Sequence, residues 1–483
     1  MEGIKIQHGC KNNKNDWMFK FCFIQKFLSP ITPCSSCTLS PIFCIFARIL
    51  NMTIMRYKPL PSQFYIRNRK NVVGEMERNS IAVLVSHDEY PRCGDTTQPF
   101  RQNSDLLYLC GIDQEDTYLT LAPWHPNPAY REILFIKNPS PEKIVWFGHR
   151  LSKQQAAELS GVQTVMFVEQ FEGVLNDLMM HAEHVYLHIP EDPRIKPDYP
   201  THEVRFAKQL KADYPLHDFR RLAPILYPLR AVKSSEELVA MKYACDITRK
   251  MFESALNTIA PGRYEYEVEA AMTYELIRNG GTAHSFAPIV AAGADTCILH
   301  YIKNDKIMKD GDLLLMDFGA EYANYAGDCS RTVPVNGKFT PRQKQVYEAV
   351  LSIYKETIPR FKPGMTIHKI NDFVFKRMDE ELIKLGLYTW DDVKNQDPDM
   401  PCFKKYYMHN TSHFIGLDVH DVGQRDWVFQ PGNVLSCEPG IYIAEEGIGV
   451  RIETDVVVGE KPIDLLAGTP VEVEEIENAM RRA

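Results

Sequence analysis

The chain has 483 residues, 45% of them hydrophobic and 24% charged, and at roughly 150 residues per domain this length indicates two or three domains. Its 55 Lys and Arg residues against 63 Asp and Glu residues give a net charge of −8, which argues against a chain-wide phosphate-binding surface and so against a nucleic-acid partner. Five of its 12 cysteines lie in the first 54 residues, so the rest of the chain lacks the cysteine density of a disulfide framework.

Residues 1–54 differ in composition from the remainder. They carry a net charge of +4, whereas the remainder carries −12. Three interpretations are open: a targeting segment, a weak membrane anchor, or sequence upstream of the true start. No apolar run approaches the roughly 18 to 20 residues of a transmembrane helix, and Cys34 with Cys37 is a weak metal signal without a second pair. We favour a functional protein that begins at Met52 or Met55, without a membrane partner and with a cytoplasmic location.

Residues 57 to about 224 have the pattern of a mixed α/β domain. Short apolar runs bounded by Asn, Asp or Pro predict buried strands at 81–86, 117–121 and 132–136. Helices are predicted at 152–159 and 168–180.

A long helix is predicted from Ser234 onwards. Ser234 and Glu237 have the spacing of a capping box, and apolar residues follow at helical intervals. We place a domain boundary just before this helix, near residue 225. The predicted divisions are therefore 1–54, 55–225, 226–475 and a tail at 476–483.

The second half contains an internal sequence repeat. Segment 309–319 (KDGDLLLMDFG) aligns without a gap with segment 430–440 (QPGNVLSCEPG). Each copy has a turn glycine, an apolar strand, and a carboxylate six residues after the glycine. Upstream, each copy has a histidine and a Pro-Gly pair before a helix that stops at glycine. The paired positions are Gly311 and Gly432, Asp317 and Glu438, His300 and His420, Gly262 and Gly364, and Gly280 and Gly386. These matches predict a duplicated α/β half whose two carboxylate-bearing strands face each other.

Several acids stand in unusually apolar surroundings. Asp317 follows four apolar residues, Asp328 comes eleven residues later, and Glu453 lies within an apolar run from Val450 to Val458 that we predict to be one strand. Aspartates are common at turns and caps, but an acid at a core position is costly unless it is paired or bound to metal. Two antiparallel strands would bring Asp317 and Asp328 to the same end of a sheet.

These acids, Glu438 and the nearby His413 form a candidate metal site. Four converging carboxylates would repel one another without cations. Oxygen ligands with one nitrogen suit manganese, iron, cobalt or zinc. Two such ions bridged by carboxylates activate a water and polarise a carbonyl, so the predicted reaction is hydrolysis.

From about residue 57 to 470 the chain resembles aminopeptidase P, the Xaa-Pro aminopeptidases of the pita-bread metallopeptidases. Segments 100–111 (FRQNSDLLYLCG) and 146–151 (WFGHRL) resemble that family's N-terminal domain, and the catalytic signatures match at every ligand position. The resemblance implies an α/β (α+β) protein, with an N-terminal mixed domain followed by a duplicated, pseudo-twofold pita-bread domain.

The resemblance also implies residue roles and partners. It implies two divalent ions, most readily manganese, held by Asp317, Asp328, His413, Glu438 and Glu453. It makes Glu438 the general base and His420 the group that stabilises the carbonyl oxygen. His300 and His409 would line the substrate site, supported by Tyr442 and Arg451. Substrates would be peptides with proline second, and the protein would be a homodimer or homotetramer.

Four alternatives compete with this interpretation. A prolidase has the same five ligands, but the 17 residues between His420 and Glu438 and the FRQNSD segment are more similar to aminopeptidase P. A methionine aminopeptidase generally lacks this N-terminal domain. A non-catalytic pita-bread binding module or a metal-free creatinase-like hydrolase would not be expected to retain all five ligands.

Overall fold

The computed structural model describes residues 56–192 and 199–481. These residues belong to one compact unit. The hypotheses about residues 1–54, including the Cys34–Cys37 pair, lie outside the described residues. Within the described part, no helix is long and apolar enough to cross a membrane, and all seven cysteines there are free thiols.

A six-stranded mixed sheet forms the centre of the N-terminal part. The strands up to residue 221 are β1 (Ser80–Val85), β2 (Pro91–Cys93), β3 (Thr96–Thr97), β4 (Tyr118–Leu121), β5 (Glu132–Ile136), β6 (Thr164–Phe167), β7 (His184–Leu187) and β8 (Asp218–Arg221). The sheet order is β6-β5-β4-β1-β7-β8, and β2 pairs with β3 as a separate hairpin. Strand β4 is antiparallel to both neighbours, whereas β1, β7 and β8 are mutually parallel. The three strands predicted from apolar runs are thus confirmed.

Several helices accompany the strands of this part. They are α1 (Ser62–Glu75), α2 (Ser104–Cys110), α3 (Pro141–Phe147), α4 (Lys153–Ser160), α5 (Phe171–Met180) and α6 (His202–Asp213). Because side chains alternate along β1, Ile81 and Val83 pack with Phe171 of α5. Ala82 and Leu84 belong to a second core, which continues without a break into the rest of the chain.

The predicted boundary near residue 225 falls inside a helix. The mixed-domain pattern ends at about Pro224, and this proline occupies the first turn of the helix Ala223–Ala231, where a missing N–H costs nothing. The predicted capping box is confirmed three residues further on. The Ser234 hydroxyl accepts from the Glu237 N–H, and the Glu237 carboxylate accepts from the Ser234 N–H.

The remaining helices and strands build the second part. Its helices are α7 (Ala223–Ala231), α8 (Ser235–Thr258), α9 (Glu265–Arg278), α10 (Pro341–Thr357), α11 (Ile367–Lys384), α12 (Trp390–Asn395) and α13 (Val473–Arg481). Its strands are β9 (Ala283–His284), β10 (Ile289–Ala292), β11 (Leu313–Phe318), β12 (Ala320–Tyr322), β13 (Tyr325–Ala326), β14 (Cys329–Pro334), β15 (Val434–Cys437), β16 (Gly440–Ile443), β17 (Ile448–Arg451), β18 (Thr454–Val457) and β19 (Ile463–Asp464).

The internal duplication is confirmed. Each copy runs from a long helix (α8, α10) through a second helix (α9, α11) to an antiparallel strand pair, β11 with β14 and β15 with β18. The turn glycines before the first strand of each pair, Gly311 and Gly432, have φ angles of 85° and 89°. Only glycine adopts this backbone region without strain, so the two copies share a local geometry as well as a pattern.

The strand pairs place four acids at equivalent positions. Asp317 lies near the end of β11, opposite Ser330, and Asp328 immediately precedes β14. Glu438 follows β15 directly, and Glu453 immediately precedes β18. Antiparallel pairing therefore brings Asp317 and Asp328 to one end of the sheet, as predicted.

Two sequence-based boundaries are wrong in detail. The single strand predicted through Glu453 is two strands, β17 and β18, because the Ile452 N–H donates to the Pro439 carbonyl and the Glu453 N–H to the Ser330 carbonyl. The tail predicted from residue 476 begins inside α13, whose Ile476 is fully buried. That helix continues the packed core instead of leaving it.

Candidate metal centre

Three predicted ligands meet at the junction of the two strand pairs. The ligand atoms of Asp328, His413 and Glu453 all lie within 4.8 Å of one another. His413 Nε2 is 3.4 Å from Asp328 Oδ2 and 3.6 Å from Glu438 Oε1. The Ser330 hydroxyl donates to Glu453 Oε2 over 2.7 Å and fixes that carboxylate. Sequence positions up to 125 residues apart thus form one cluster.

His413 is held in a ligand-like orientation. The His413 backbone N–H donates to the Ser436 hydroxyl, and the Ser436 backbone N–H donates to the His413 carbonyl. These bonds attach its loop to β15. Its Nδ1 lies 3.1 Å from the Phe414 carbonyl, a partner that requires the proton on Nδ1. The lone pair of Nε2 then faces the carboxylates, an arrangement typical of metal-bound histidines.

Arg451 joins Asp317 to the cluster. This buried side chain donates from Nη2 to Asp317 Oδ2 over 2.6 Å and from Nε to the Ser330 hydroxyl over 2.8 Å. A third bond runs from Nη1 to the Tyr442 hydroxyl over 2.9 Å. The planar guanidinium therefore fixes one carboxylate, and through Ser330 a second, in a single geometry.

Burial and mutual repulsion disfavour the charged forms of the buried acids. Burial, with the charges of Asp317, Asp455 and Glu438 adding to it, raises the pKa of Asp328 well above its usual range. Burial and the charges of Asp328 and Glu438 do the same for the pKa of Glu453. Burial also raises the pKa of Glu438, although His413 and Arg451 oppose it. So many buried carboxylates would repel one another strongly if charged, unless cations were bound among them.

Unsatisfied oxygens support the same conclusion. Asp317 Oδ1 and Asp328 Oδ1 are buried and find no hydrogen-bond partner among the described residues. Buried polar atoms are normally paired, and carboxylate oxygens near one imidazole are a donor set for hard or borderline divalent cations. The residues present therefore fit divalent metal.

A second layer surrounds the acids. The Tyr442 hydroxyl lies 2.8 Å from His409 Nε2, and His409 Nδ1 lies 2.8 Å from the Asn410 carbonyl. Burial and then the charge of Arg451 lower the pKa of His409 to about 3. Burial raises the pKa of Tyr442 to about 12. At neutral pH the imidazole is therefore uncharged and the hydroxyl protonated, so the hydroxyl donates to Nε2 and Nδ1–H donates to the carbonyl.

The remaining two predicted histidines, His300 and His420, are exposed at the edge of the site. The rings of His420 and His413 are 4.4 Å apart and nearly perpendicular. His300 is exposed in the turn before Tyr301, close enough that its charge contributes to the lowered pKa of His409. The structure thus brings nine of the ten predicted site residues into a connected network and leaves His300 at its edge.

One set of site residues was missed from the sequence. The loop that carries His420, residues 416–421 and hereafter the His420 loop, is held by cations from outside it. Arg101 Nη1 donates to Asp418 Oδ1 over 3.0 Å. Arg230 and Lys233 donate to the two oxygens of Asp421 over 2.6 and 2.8 Å. Arg101 lies in the FRQNSD segment. That segment resembles aminopeptidase P in sequence, but the sequence gives no sign that Arg101 contacts the His420 loop.

Comparisons with known proteins agree with this geometry. Residues 239–460 match the model of metallopeptidase family M24, and residues 65–186 match the aminopeptidase P N-terminal domain. A Xaa-Pro aminopeptidase of Haemophilus influenzae is 35% identical over 434 residues, 87% of this chain and 98% of that protein. The chain belongs to metallopeptidase family M24. It carries the aminopeptidase P type of N-terminal domain as well.

Solved structures extend the M24 assignment to the whole fold. A putative aminopeptidase P from Bacillus anthracis superposes with a TM-score of 0.81 at 32% identity, covering 88% of this chain and 99% of that one. A zinc-substituted Escherichia coli aminopeptidase P in complex with product gives 0.79 at 32% identity, with the same coverage. The predicted pita-bread fold is confirmed, and this M24 member is a hydrolase that depends on divalent metal.

Proposed function

We propose that this M24 peptidase is a Xaa-Pro aminopeptidase, which hydrolyses the bond between an N-terminal residue and a following proline. The observation that carries the proposal is the cluster of Asp328, His413 and Glu453, whose ligand atoms lie within 4.8 Å of one another, with Glu438 3.6 Å from His413. The chain is related to Xaa-Pro aminopeptidases over nearly its whole described length. A dipeptide-specific prolidase is not favoured by these relationships.

The five proposed ligands would hold two divalent ions. These ligands would be Asp317, Asp328, His413, Glu438 and Glu453. Manganese is our first choice because the donors are mostly oxygen. When bound, such a pair lowers the pKa of a water and polarises the scissile carbonyl.

The chain's own groups move the protons and position the peptide. Glu438 Oε1 accepts from the Ser436 hydroxyl, which leaves Oε2 to accept a proton from the attacking water and return it to the leaving proline nitrogen. His420 donates a hydrogen bond to the carbonyl oxygen as negative charge develops there. His300 and His409 line the substrate site, and Tyr442 with Arg451 holds His409 and Asp317 in place.

Preference for proline has a physical basis. The prolyl imide nitrogen has no hydrogen, so a site that offers no acceptor there loses nothing with proline. An ordinary peptide N–H in the same place would be left unpaired, at a cost of roughly 1 to 3 kcal/mol.

The test is release of the first residue from Xaa-Pro-Xaa tripeptides. We expect metal-stripped protein to regain activity with Mn²⁺, and Asp328→Ala to abolish that recovery, whereas Asp310→Ala, which removes an exposed carboxylate bonded to Asn336, retains it. Activity confined to Xaa-Pro dipeptides would establish a prolidase instead. No hydrolysis and no retained metal would point to a binding module.

Assembly and location remain predictions. A homodimer or homotetramer is expected, and light scattering coupled to size exclusion measures it. The cytoplasmic location is checked by fractionation with an antibody to residues 55–483.

A further inference from the structure

A second cluster of metal-binding side chains lies in the N-terminal part, outside the peptidase site. His125 follows β4, Asp177 lies in α5, and His181 is the residue that caps the C-terminal end of α5. Their ligand atoms all lie within 4.8 Å of one another. Asp177 and His181 are four residues apart and so share one face of the helix, and His125 approaches that face from the sheet.

His125 is the anchor of this cluster. Its side chain is 4% exposed, and its Nδ1 lies 3.2 Å from the Asn127 N–H and 3.3 Å from the Asn127 carbonyl. Its Nε2 is 3.3 Å from Asp177 Oδ2, yet no hydrogen bond of ordinary geometry reaches that buried nitrogen from any described residue. A buried ring nitrogen left without such a bond, beside a carboxylate and a second imidazole, indicates a missing partner.

One pair of ligand atoms has the spacing expected around a tetrahedral ion. Ligand atoms about 2.0 Å from zinc at the corners of a tetrahedron are roughly 3.3 Å apart, which matches the separation of His125 Nε2 from Asp177 Oδ2. The His181 ring lies 4.6 Å from the His125 ring and is perpendicular to it. His181 is exposed and Asp177 is 40% exposed, so these two ligands stand on the solvent side of the buried His125.

We propose that His125, Asp177 and His181 form a zinc-binding site that is separate from the peptidase centre. Two imidazoles and one carboxylate are ligands that zinc accepts readily. Without the ion, the Asn127 N–H donates to His125 Nδ1. Binding through Nε2 moves the ring proton to Nδ1, which then donates to the Asn127 carbonyl 3.3 Å away. The carbonyls at the C-terminal end of α5 carry partial negative charge, which favours a cation beside His181. The ion ties the segment after β4 to the end of α5.

The test is the zinc content of the full-length protein after equilibration with Zn²⁺ and removal of free metal, measured by mass spectrometry of the element. We expect His181→Ala and Asp177→Ala to hold one zinc fewer per chain than wild type, with peptidase activity unchanged. His149→Ala, which removes an exposed histidine of the same part outside the cluster, retains the full content.

A second series separates the two sites. In an Asp328→Ala background, in which the peptidase centre is disabled, we expect a remaining zinc that disappears on adding His181→Ala. Tetrahedral Co²⁺ absorption in that background should disappear with the same substitution. Equal zinc content with and without His181 in both series would overturn the proposal and leave His125 and Asp177 as an ion pair. Because these readouts do not depend on peptide cleavage, failure of the proposed function would leave them intact.

Discussion

At the scale of single residues, Arg451 links most of the site. Its three hydrogen bonds reach a proposed metal ligand, the serine that fixes another, and the tyrosine that holds His409. Hydrogen bonds to charged groups contribute roughly 1.5 to 3 kcal/mol each. The geometry of Asp317 therefore depends on the guanidinium fork as well as on its charge.

Replacing Arg451 by lysine tests this dependence. We expect Arg451→Lys to lower kcat by about 10- to 100-fold, since a point charge cannot make the three bonds of the fork. Steady-state kinetics on a Xaa-Pro-Xaa peptide at saturating Mn²⁺ measures the effect. Arg342→Lys is the matched control, because Arg342 makes a comparable two-bond pair with Glu446 at the surface. Equal kcat in both variants would show that charge alone suffices.

The proposed metal ligands could be predicted from the sequence because an acid in an apolar run is conspicuous. The cations around the His420 loop could not. No spacing in the sequence links Arg101, Arg230 and Lys233 to this loop, because their partners in it are 188 or more residues away. Only the fold shows that Lys233 is almost completely buried against Asp421.

At the scale of elements, the His420 loop is an irregular part of the site that three cationic side chains hold in place. It lies between His413 and β15, and its residues form bends without a helix or a strand. Burial would raise the pKa of Asp418, but Arg101 and Arg230 outweigh it and lower that pKa to about 2. The loop is thus fixed by charge where a strand ladder is absent.

A double-mutant cycle tests whether this anchoring acts through His420. We expect Arg101→Ala to lower kcat by about fivefold, since it removes the partly exposed ion pair with Asp418, worth roughly 1 kcal/mol. The second ion pair of Arg101, with Glu321, lies outside the loop. Added to His420→Ala, the Arg101→Ala substitution should cost little more, because the residue being positioned is already gone. Kinetics of the four proteins on one tripeptide gives the coupling energy.

The control for this cycle is another ion pair between the two parts of the chain. Arg67 in α1 pairs with Glu236 in α8 over 3.0 Å, away from the His420 loop. Arg67→Ala should leave kcat unchanged. If the effects of Arg101→Ala and His420→Ala simply multiply, the positioning role is wrong.

The elements themselves were largely predictable, since hydrophobic period, capping residues and turn glycines act locally. The break between β17 and β18 was not predictable. It arises because Ile452 and Glu453 find backbone partners in Pro439 and Ser330, and Ser330 is 123 residues away from Glu453. Apolar pattern alone cannot show such a change of partner.

At the scale of the whole molecule, the metal-free protein carries an electrostatic penalty at neutral pH. The folded state raises the pKa of Asp328 and Glu453 above their unfolded values. Such acids hold protons more tightly when folded, so stability is lost as pH rises past the unfolded values near 4. Bound divalent ions would remove this penalty.

Thermal denaturation at two pH values measures the penalty. After chelation, we expect the wild-type Tm to fall between pH 5 and pH 8 relative to that of Asp328→Asn/Glu453→Gln, which cannot ionise at these positions. Adding Mn²⁺ should raise the wild-type Tm more at pH 8 than at pH 5. Parallel pH profiles of the two chelated proteins would contradict the assignment of buried charge.

The apolar core shared by the N-terminal sheet and the second part bears on how the enzyme melts. Leu84 of β1 and Leu314 of β11 belong to one continuous core, so removing either part would expose the apolar surface of the other to water. The folded chain should therefore lose its structure in a single calorimetric transition, with one heat-capacity step for both parts. A fragment that ends at residue 225 would lack half of this shared core, so we expect that it does not fold when expressed alone.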